Sequence, residues 1–187
     1  MVGSEQGDRA PVRAPGTAGD GDHRGDADGA APVGGPDLLD ELTGLGNDIA
    51  VRRRFDQDEG RPATLVLLDC LRFCEVNRAH GHAAGDAVLV QAARALEQAA
   101  PARARLARCQ GDHFLVLVPD RVPAAALAHD LAAAAAVPLP SGDRLRLSVG
   151  AASGTVGEEL LRAADEICAG HSKRQRRQDE REAGAGA

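Results

Sequence analysis

Tryptophan and tyrosine are absent from this chain of 187 residues, and phenylalanine occurs only three times. A core of stacked aromatic rings is therefore excluded, and whatever is buried must be built from Leu, Val and Ala. Long apolar runs are missing too. None approaches the ~18 consecutive residues of a membrane-spanning helix. The N-terminus carries no hydrophobic stretch of the secretory kind, so a cytoplasmic protein with no membrane partner is expected. Positive charge is in short supply: 22 Lys and Arg stand against 28 Asp and Glu, a net charge of -6. That balance argues against nucleic-acid binding through a broad basic surface. A small anionic ligand stays open, because it needs only local donors and a metal ion.

Leu, Ile and Phe do not occur before Asp37, while Gly, Pro, Ala, Asp and Arg dominate. Such a segment cannot bury enough apolar area to offset its ordering entropy, so residues 1–36 are expected to form a disordered arm. The polar end, 177–187, is expected to be a flexible tail. Residues 37–176 then form one domain, long enough for a real core. Four cysteines, Cys70, Cys74, Cys109 and Cys168, read as free thiols filling space as small hydrophobes. Cys70 and Cys74 with His80 and His82 do not make a zinc pattern, since Cys-x3-Cys and His-x-His are not the spacings of closed sites.

Within the domain, strand and helix signals alternate. A helix is predicted over 48–56. The run Ala63-Thr64-Leu65-Val66-Leu67-Leu68-Asp69 has the length and continuous apolarity of a central strand buried on both faces, and it ends in a carboxylate. Helices follow over 71–80 and 86–99, the second with Val88, Leu89, Ala92 and Leu96 on one side. Residues 104–109 and 114–118 make a hairpin around a Gly-Asp turn, 123–135 a helix, 145–152 a strand, and 158–168 a last helix. This order predicts an α+β sandwich, helices laid on a mainly antiparallel sheet.

Asp69 closes the central strand and Asp112 sits at the hairpin tip. If the two strands are neighbours, the two carboxylates converge, and they repel unless a cation lies between them. Hard oxygen ligands of this kind suit Mg²⁺ held jointly with substrate phosphates, the logic of nucleotidyl transfer. The plain alternative is that both are solvated turn residues.

Several spaced elements occur together: Asp40-Glu41-Leu42-Thr43-Gly44-Leu45-Gly46-Asn47, Leu68-Asp69, Phe73, Asn77, Gly81-His82-Ala83-Ala84-Gly85-Asp86, Gln110-Gly111-Asp112-His113-Phe114, Ser148-Val149-Gly150 and Ala164-Asp165-Glu166. In that order the set resembles the GGDEF family of diguanylate cyclases, with an altered signature turn. The resemblance implies a ferredoxin-like sandwich related to the polymerase palm and to class III nucleotidyl cyclases. It also implies GTP as ligand and cyclic di-GMP as product, formed when two domains meet face to face. By the same resemblance Asp69, the Cys70 backbone carbonyl and Asp112 match metal ligands, with Asp112 essential for turnover. Asn77 and Asp86 match the residues that read the guanine edge, Gly111 the glycine that lets the backbone approach the nucleotide, and Arg176 a phosphate-contacting Arg.

The departures from the family pattern bear on activity. Gln110 puts a side chain where the family has bare backbone. His113 replaces a carboxylate with an imidazole beside the metal site. Leu71 stands in place of a second Asp, and Cys74 and Ser172 in place of phosphate-facing Lys residues, with Lys173 one position away. The inhibitory product site is missing, since Pro101 and Ala104 occupy its Arg and Asp positions. Three readings follow: a degenerate domain that binds guanine nucleotide and regulates, an active cyclase of relaxed motif, and a scaffold that binds no nucleotide. A homodimer or a heteromeric signalling partner is the assembly each would use.

Overall fold

The computed structural model describes residues 36–109 and 111–185, with side chains described over 37–109 and 111–173. The expected N-terminal arm, apart from its last residue Pro36, and Gln110 lie outside the described residues. The elements run α1 (Asp48–Asp58), β1 (Pro62–Cys70), α2 (Phe73–His80), α3 (His82–Ala99), β2 (Arg105–Cys109), β3 (His113–Pro119), α4 (Ala124–Ala135), β4 (Leu147–Thr155) and α5 (Glu158–Ala185). The four strands form one sheet in the order β2-β3-β1-β4, each antiparallel to its neighbours. With helices crossing between β1 and β2 and between β3 and β4, this is the ferredoxin-like sandwich expected from the sequence.

β1 is the middle of the molecule. Its Val66, Leu68 and Cys70 side chains enter one core with Val88, Leu89, Leu96, Phe114, Val116 and Leu131, beneath α3 and α4. Ala63 and Leu65 enter a second core with Leu115, Leu117, Leu160 and Ala164, beneath α5. The strand alternates between two apolar faces, which is why its sequence is continuously apolar. Asp69, by the same alternation, falls on the α5 face.

Most boundaries differ from expectation by a few residues, and four of the differences bear on the site and its surroundings. α2 begins at Phe73 and not at residue 71, because Arg72 adopts a left-handed conformation (φ 58°, ψ 27°) that ends the preceding turn. α3 begins at His82, four residues before its expected start, so the Gly-His-Ala-Ala-Gly stretch is helical apart from Gly81, whose φ of 83° breaks α2 from α3. Asp86 therefore sits in the second helical turn and not the first. α5 continues to Ala185, where an end at residue 168 and a polar tail were expected. The stretch 173–182 is rich in Lys, Arg, Gln and Glu, which are strong helix formers, and this favours continuation. Lastly, β4 starts at Leu147 and not at residue 145.

Two contacts fix the site's surroundings. α5 lies directly on β4 at Gly150: a Cβ there would stand 2.0 Å from the Ala164 carbonyl oxygen and 2.5 Å from the Cys168 amide nitrogen. Beside it the buried Ser148 hydroxyl donates to the Cys168 carbonyl at 2.6 Å. The second contact ties the N-terminal turn to the hairpin. Asp40 accepts from the Thr43 amide (2.9 Å) and hydroxyl (2.7 Å), and the Arg108 guanidinium donates from one nitrogen to both Asp40 oxygens (2.9 and 2.8 Å). Arg108 also donates through Nε to the Gly111 carbonyl at 2.7 Å, holding the hairpin tip. Burial pushes the Asp40 carboxyl up, but the Thr43 hydrogen bonds and Arg108 outweigh it and hold it below the usual carboxylate range.

Two predictions follow from these contacts. Gly150→Ala forces α5 off the sheet and is expected to cost about 3 kcal/mol, read as a drop of roughly 10 °C in melting temperature. Asp40→Asn is expected to cost about 2 kcal/mol at pH 7. Because the folded-state carboxyl is depressed, this contribution is fully present above about pH 4 and is lost as pH falls through the lower folded value. The stability gap between wild type and variant should therefore close on acidification in denaturant titrations. A gap that persists at pH 2 would contradict the assignment.

Candidate functional site

Register brings the chemistry together. β1 pairs with β3 so that Asp69 lies directly opposite His113, and with β4 so that Asp69 lies opposite Ser148. The hairpin β2-β3 closes at the paired Cys109 and His113, with Gly111 and Asp112 in its turn. Gly111 in that turn has φ 86°, a conformation that disfavours any side chain. The Cys70 amide donates to the Asp112 carbonyl at 3.2 Å, which locks the tip against the end of β1.

Asp69, Asp112 and His113 thus form one cluster, with one ligand atom from each all within 4.8 Å of one another. Imidazole Nε2 faces Asp69 Oδ1 at 3.4 Å and Nδ1 faces Asp112 Oδ1 at 3.7 Å. Nδ1 is shielded from solvent and has no hydrogen-bond partner. The other oxygen of Asp69 accepts from the Ser172 hydroxyl of α5 at 3.1 Å. Burial pushes the Asp112 carboxyl above its ordinary range; His113 opposes that rise and the Asp69 charge adds to it. Two crowded carboxylates and a shielded imidazole nitrogen with an unsatisfied lone pair or proton are a donor set that a divalent cation fits.

Asp69 and His113 of this cluster border a cleft of about 1010 Å³ on the α5 face of the sheet, whose walls include Asp48, Cys168, Ser172 and Lys173. Lys173, which stands one position from Ser172, lines this cleft. Leu71 is half-buried and Cys74 exposed, and neither brings charge. The exposure of Cys74 departs from the expectation that all four thiols are buried. Cys70 and Cys168 are buried, and none of the four is in a disulfide. Burial raises the thiols of Cys70 and Cys168, while that of Cys109 is pushed up to about 12 by burial and by Asp48. None of these three is an activated nucleophile, and Cys70 can reach the cluster only through its backbone.

Asn77 and Asp86 form a second group on α2 and α3. The Asn77 side chain lies over Gly85, where a Cβ would stand 1.9 Å from Oδ1 and 3.1 Å from the Phe73 ring. Gly85 is therefore the residue that makes room for Asn77. Asn77 Oδ1 is buried without a hydrogen-bond partner, and Asp86 beside it is exposed. A buried carbonyl oxygen without a donor costs stability unless a ligand supplies one. The Arg176 side chain lies outside the described residues; its backbone is in α5.

Three features of the site were not foreseen from the sequence: Ser172 as the partner of Asp69, His113 facing both carboxylates, and Arg108 clamping the turn. Ser172 and Asp69 are 103 residues apart, and no local pattern links them. Arg108 and Asp40 are 68 residues apart, and no local pattern links them either.

A family model described as diguanylate cyclase, GGDEF domain, matches residues 37–178. Over 143 residues the chain is 35% identical to an uncharacterized signaling protein of Caulobacter vibrioides, covering 67% of this chain and 18% of that protein. It thus spans under a fifth of that relative's length. Among solved structures, a sensory box/GGDEF family protein from Caulobacter crescentus superposes with a TM-score of 0.62 at 33% identity, covering 73% of this chain and 98% of that one. Diguanylate cyclase SiaD from Pseudomonas aeruginosa, solved in complex with its activator SiaC, gives 0.66 at 26% identity, covering 73% and 58%. With the sheet order, the metal-competent strand end and the family match all spanning the same residues, the chain belongs to the GGDEF domain family.

Proposed function

We propose that this domain is a degenerate GGDEF module of cyclic di-GMP signalling that binds a guanine nucleotide and regulates, with little or no cyclase activity. The observation that carries the reading is the state of Asp69: one oxygen takes the Ser172 hydroxyl and the other faces the His113 imidazole. Where the family resemblance implies acidic and Lys positions, this chain offers an imidazole and a hydroxyl, and Leu71 and Cys74 add no charge. Phosphate donors stabilise both the bound triphosphate and the charge that develops during transfer, so their loss falls hardest on turnover. The base-reading side keeps its groups. Asn77 Oδ1 waits for a donor and Asp86 is free to accept, the pairing a guanine edge with its N–H groups satisfies.

Asp69, Asp112 and the Cys70 backbone would hold the nucleotide's divalent cation, Mg²⁺ by the resemblance, and Gly111 and Arg176 would meet its phosphates. A bound cation there neutralises triphosphate charge. Asp69 is oriented by Ser172, Asp112 by the hairpin lock, and the apolar strands beneath keep water from the floor of the cleft. The cytoplasm is the proposed compartment, and the proposed partner is a second copy or a signalling protein. SiaD with its activator is a solved example of the latter kind.

The second reading, an active cyclase of relaxed motif, is favoured by the survival of Asp69 and Asp112 within one cluster. Incubation of the full chain with GTP and Mg²⁺, and in a parallel arm with Mn²⁺, followed by chromatography, separates the two. No cyclic di-GMP is expected, and steady product abolished by Asp112→Ala would establish the cyclase. In parallel, GTP is expected to raise the melting temperature by several degrees at saturation. Asn77→Ala should weaken GTP binding about tenfold. No shift at millimolar GTP would leave only a scaffold.

A further inference from the structure

We propose that the Asp69, Asp112 and His113 cluster is a site for a first-row transition dication such as Mn²⁺ or Co²⁺, with His113 as the ligand that selects against Mg²⁺. The inference deepens the reading of Asp69 and Asp112 as holders of a nucleotide's divalent cation and rests on it.

Backbone pairing is the first argument. His113 is held across from Asp69 by the β1-β3 ladder, so its Cα stays beside the end of β1 unless the register changes. Asp112 is held by the bond from the Cys70 amide. The three donors therefore come as a set. Their ligand atoms, all within 4.8 Å, lie close to what one ion demands: bonds of ~2.1 Å put neighbouring ligands ~3 Å apart and opposite ligands ~4.2 Å apart. Rotation of the His113 side chain, 45% exposed and so free to turn, closes the difference.

The second argument is the use of each atom. Asp69 Oδ2 is taken by Ser172, which leaves Oδ1, the atom facing the imidazole, for an ion. This is the arrangement in which an outer hydroxyl orients a metal-binding carboxylate. Imidazole Nδ1 is enclosed and unpartnered, and no donor or acceptor among the described residues satisfies it. Asp112 and Asp69 flank the ring on its two sides, and a dication bound through Nδ1 would supply the partner that atom lacks and offset the charge of both carboxylates.

The third argument is donor chemistry. Mg²⁺ takes oxygen ligands and gives up water reluctantly, so a nitrogen donor adds little for it. Imidazole suits the later divalent ions, whose affinity rises from Mn²⁺ through Co²⁺. A site of two carboxylates and one imidazole keeps the charge that any dication needs and adds a donor that only the transition ions use well. Positions left open on the ion are available to water and to phosphate oxygens.

Calorimetric titration of the nucleotide-free full chain with MnCl₂, CoCl₂ and MgCl₂, in wild type and in His113→Glu, tests the proposal. Both proteins keep all four cysteines, so adventitious thiol binding cancels in the comparison. Wild type is expected to favour Co²⁺ over Mg²⁺, and that preference is expected to fall about tenfold or more in His113→Glu. A Co²⁺ to Mg²⁺ affinity ratio equal in the two proteins overturns the proposal, as does a wild type that binds Mg²⁺ as tightly as Co²⁺. GTP titration in the presence of a chelator reads the base pocket separately. GTP binding with no Co²⁺ preference sinks the ion selectivity and leaves the nucleotide module standing. Co²⁺ preference without GTP binding supports the ion site and removes the nucleotide reading.

Discussion

The antiparallel register of β1 against β3 is the constraint on which the site depends. A pairing shifted by one residue would turn Asp69 toward the α3 and α4 core and bury a carboxylate among Leu68, Phe114 and Val116. In the observed register the apolar side chains of both strands alternate into two cores, and the last residue on the α5 face is Asp69. Burial of about twenty Leu, Val and Ala side chains thus sets the position of one polar group. His113 inherits its place from the same ladder, and Asp112 follows from the hairpin turn.

α5 completes the arrangement from the other side. Its close approach at Gly150, with the Ser148 bond to Cys168, fixes its height over the sheet, so Ser172 arrives one turn later at hydrogen-bond distance from Asp69. The sheet sets where the carboxylate is, and the helix sets how it is oriented. Arg108 plays the equivalent part on the hairpin, joining Asp40 to Gly111. The cluster is therefore carried on secondary-structure elements from three directions.

Much of this was legible in the sequence because the signals are local. Continuous apolarity from residue 63 to 68 marks a strand with two buried faces, and the carboxylate after it marks its end. The Gly-Asp pair between two apolar runs marks a hairpin tip. What was not legible is what depends on distant pairing. Periodicity states which faces of β1 and β3 are apolar but not which residues sit opposite, so the meeting of Asp69 with His113 is a tertiary fact. The start of α3 was missed because Gly and His were read as a connection, whereas a single positive-φ glycine at Gly81 suffices to turn the chain. The role of Gly85 was equally hidden, since the side chain that needs its space, Asn77, belongs to another helix.

The central claim is that base recognition has been kept while the transfer machinery has been altered. A crystal structure of the full chain with a non-hydrolysable GTP analogue tests it most directly. The account predicts the guanine edge against Asn77 and Asp86, with the triphosphate directed toward Asp69, Asp112 and His113. A base bound elsewhere, or a cleft closed to the analogue by the imidazole, would contradict it.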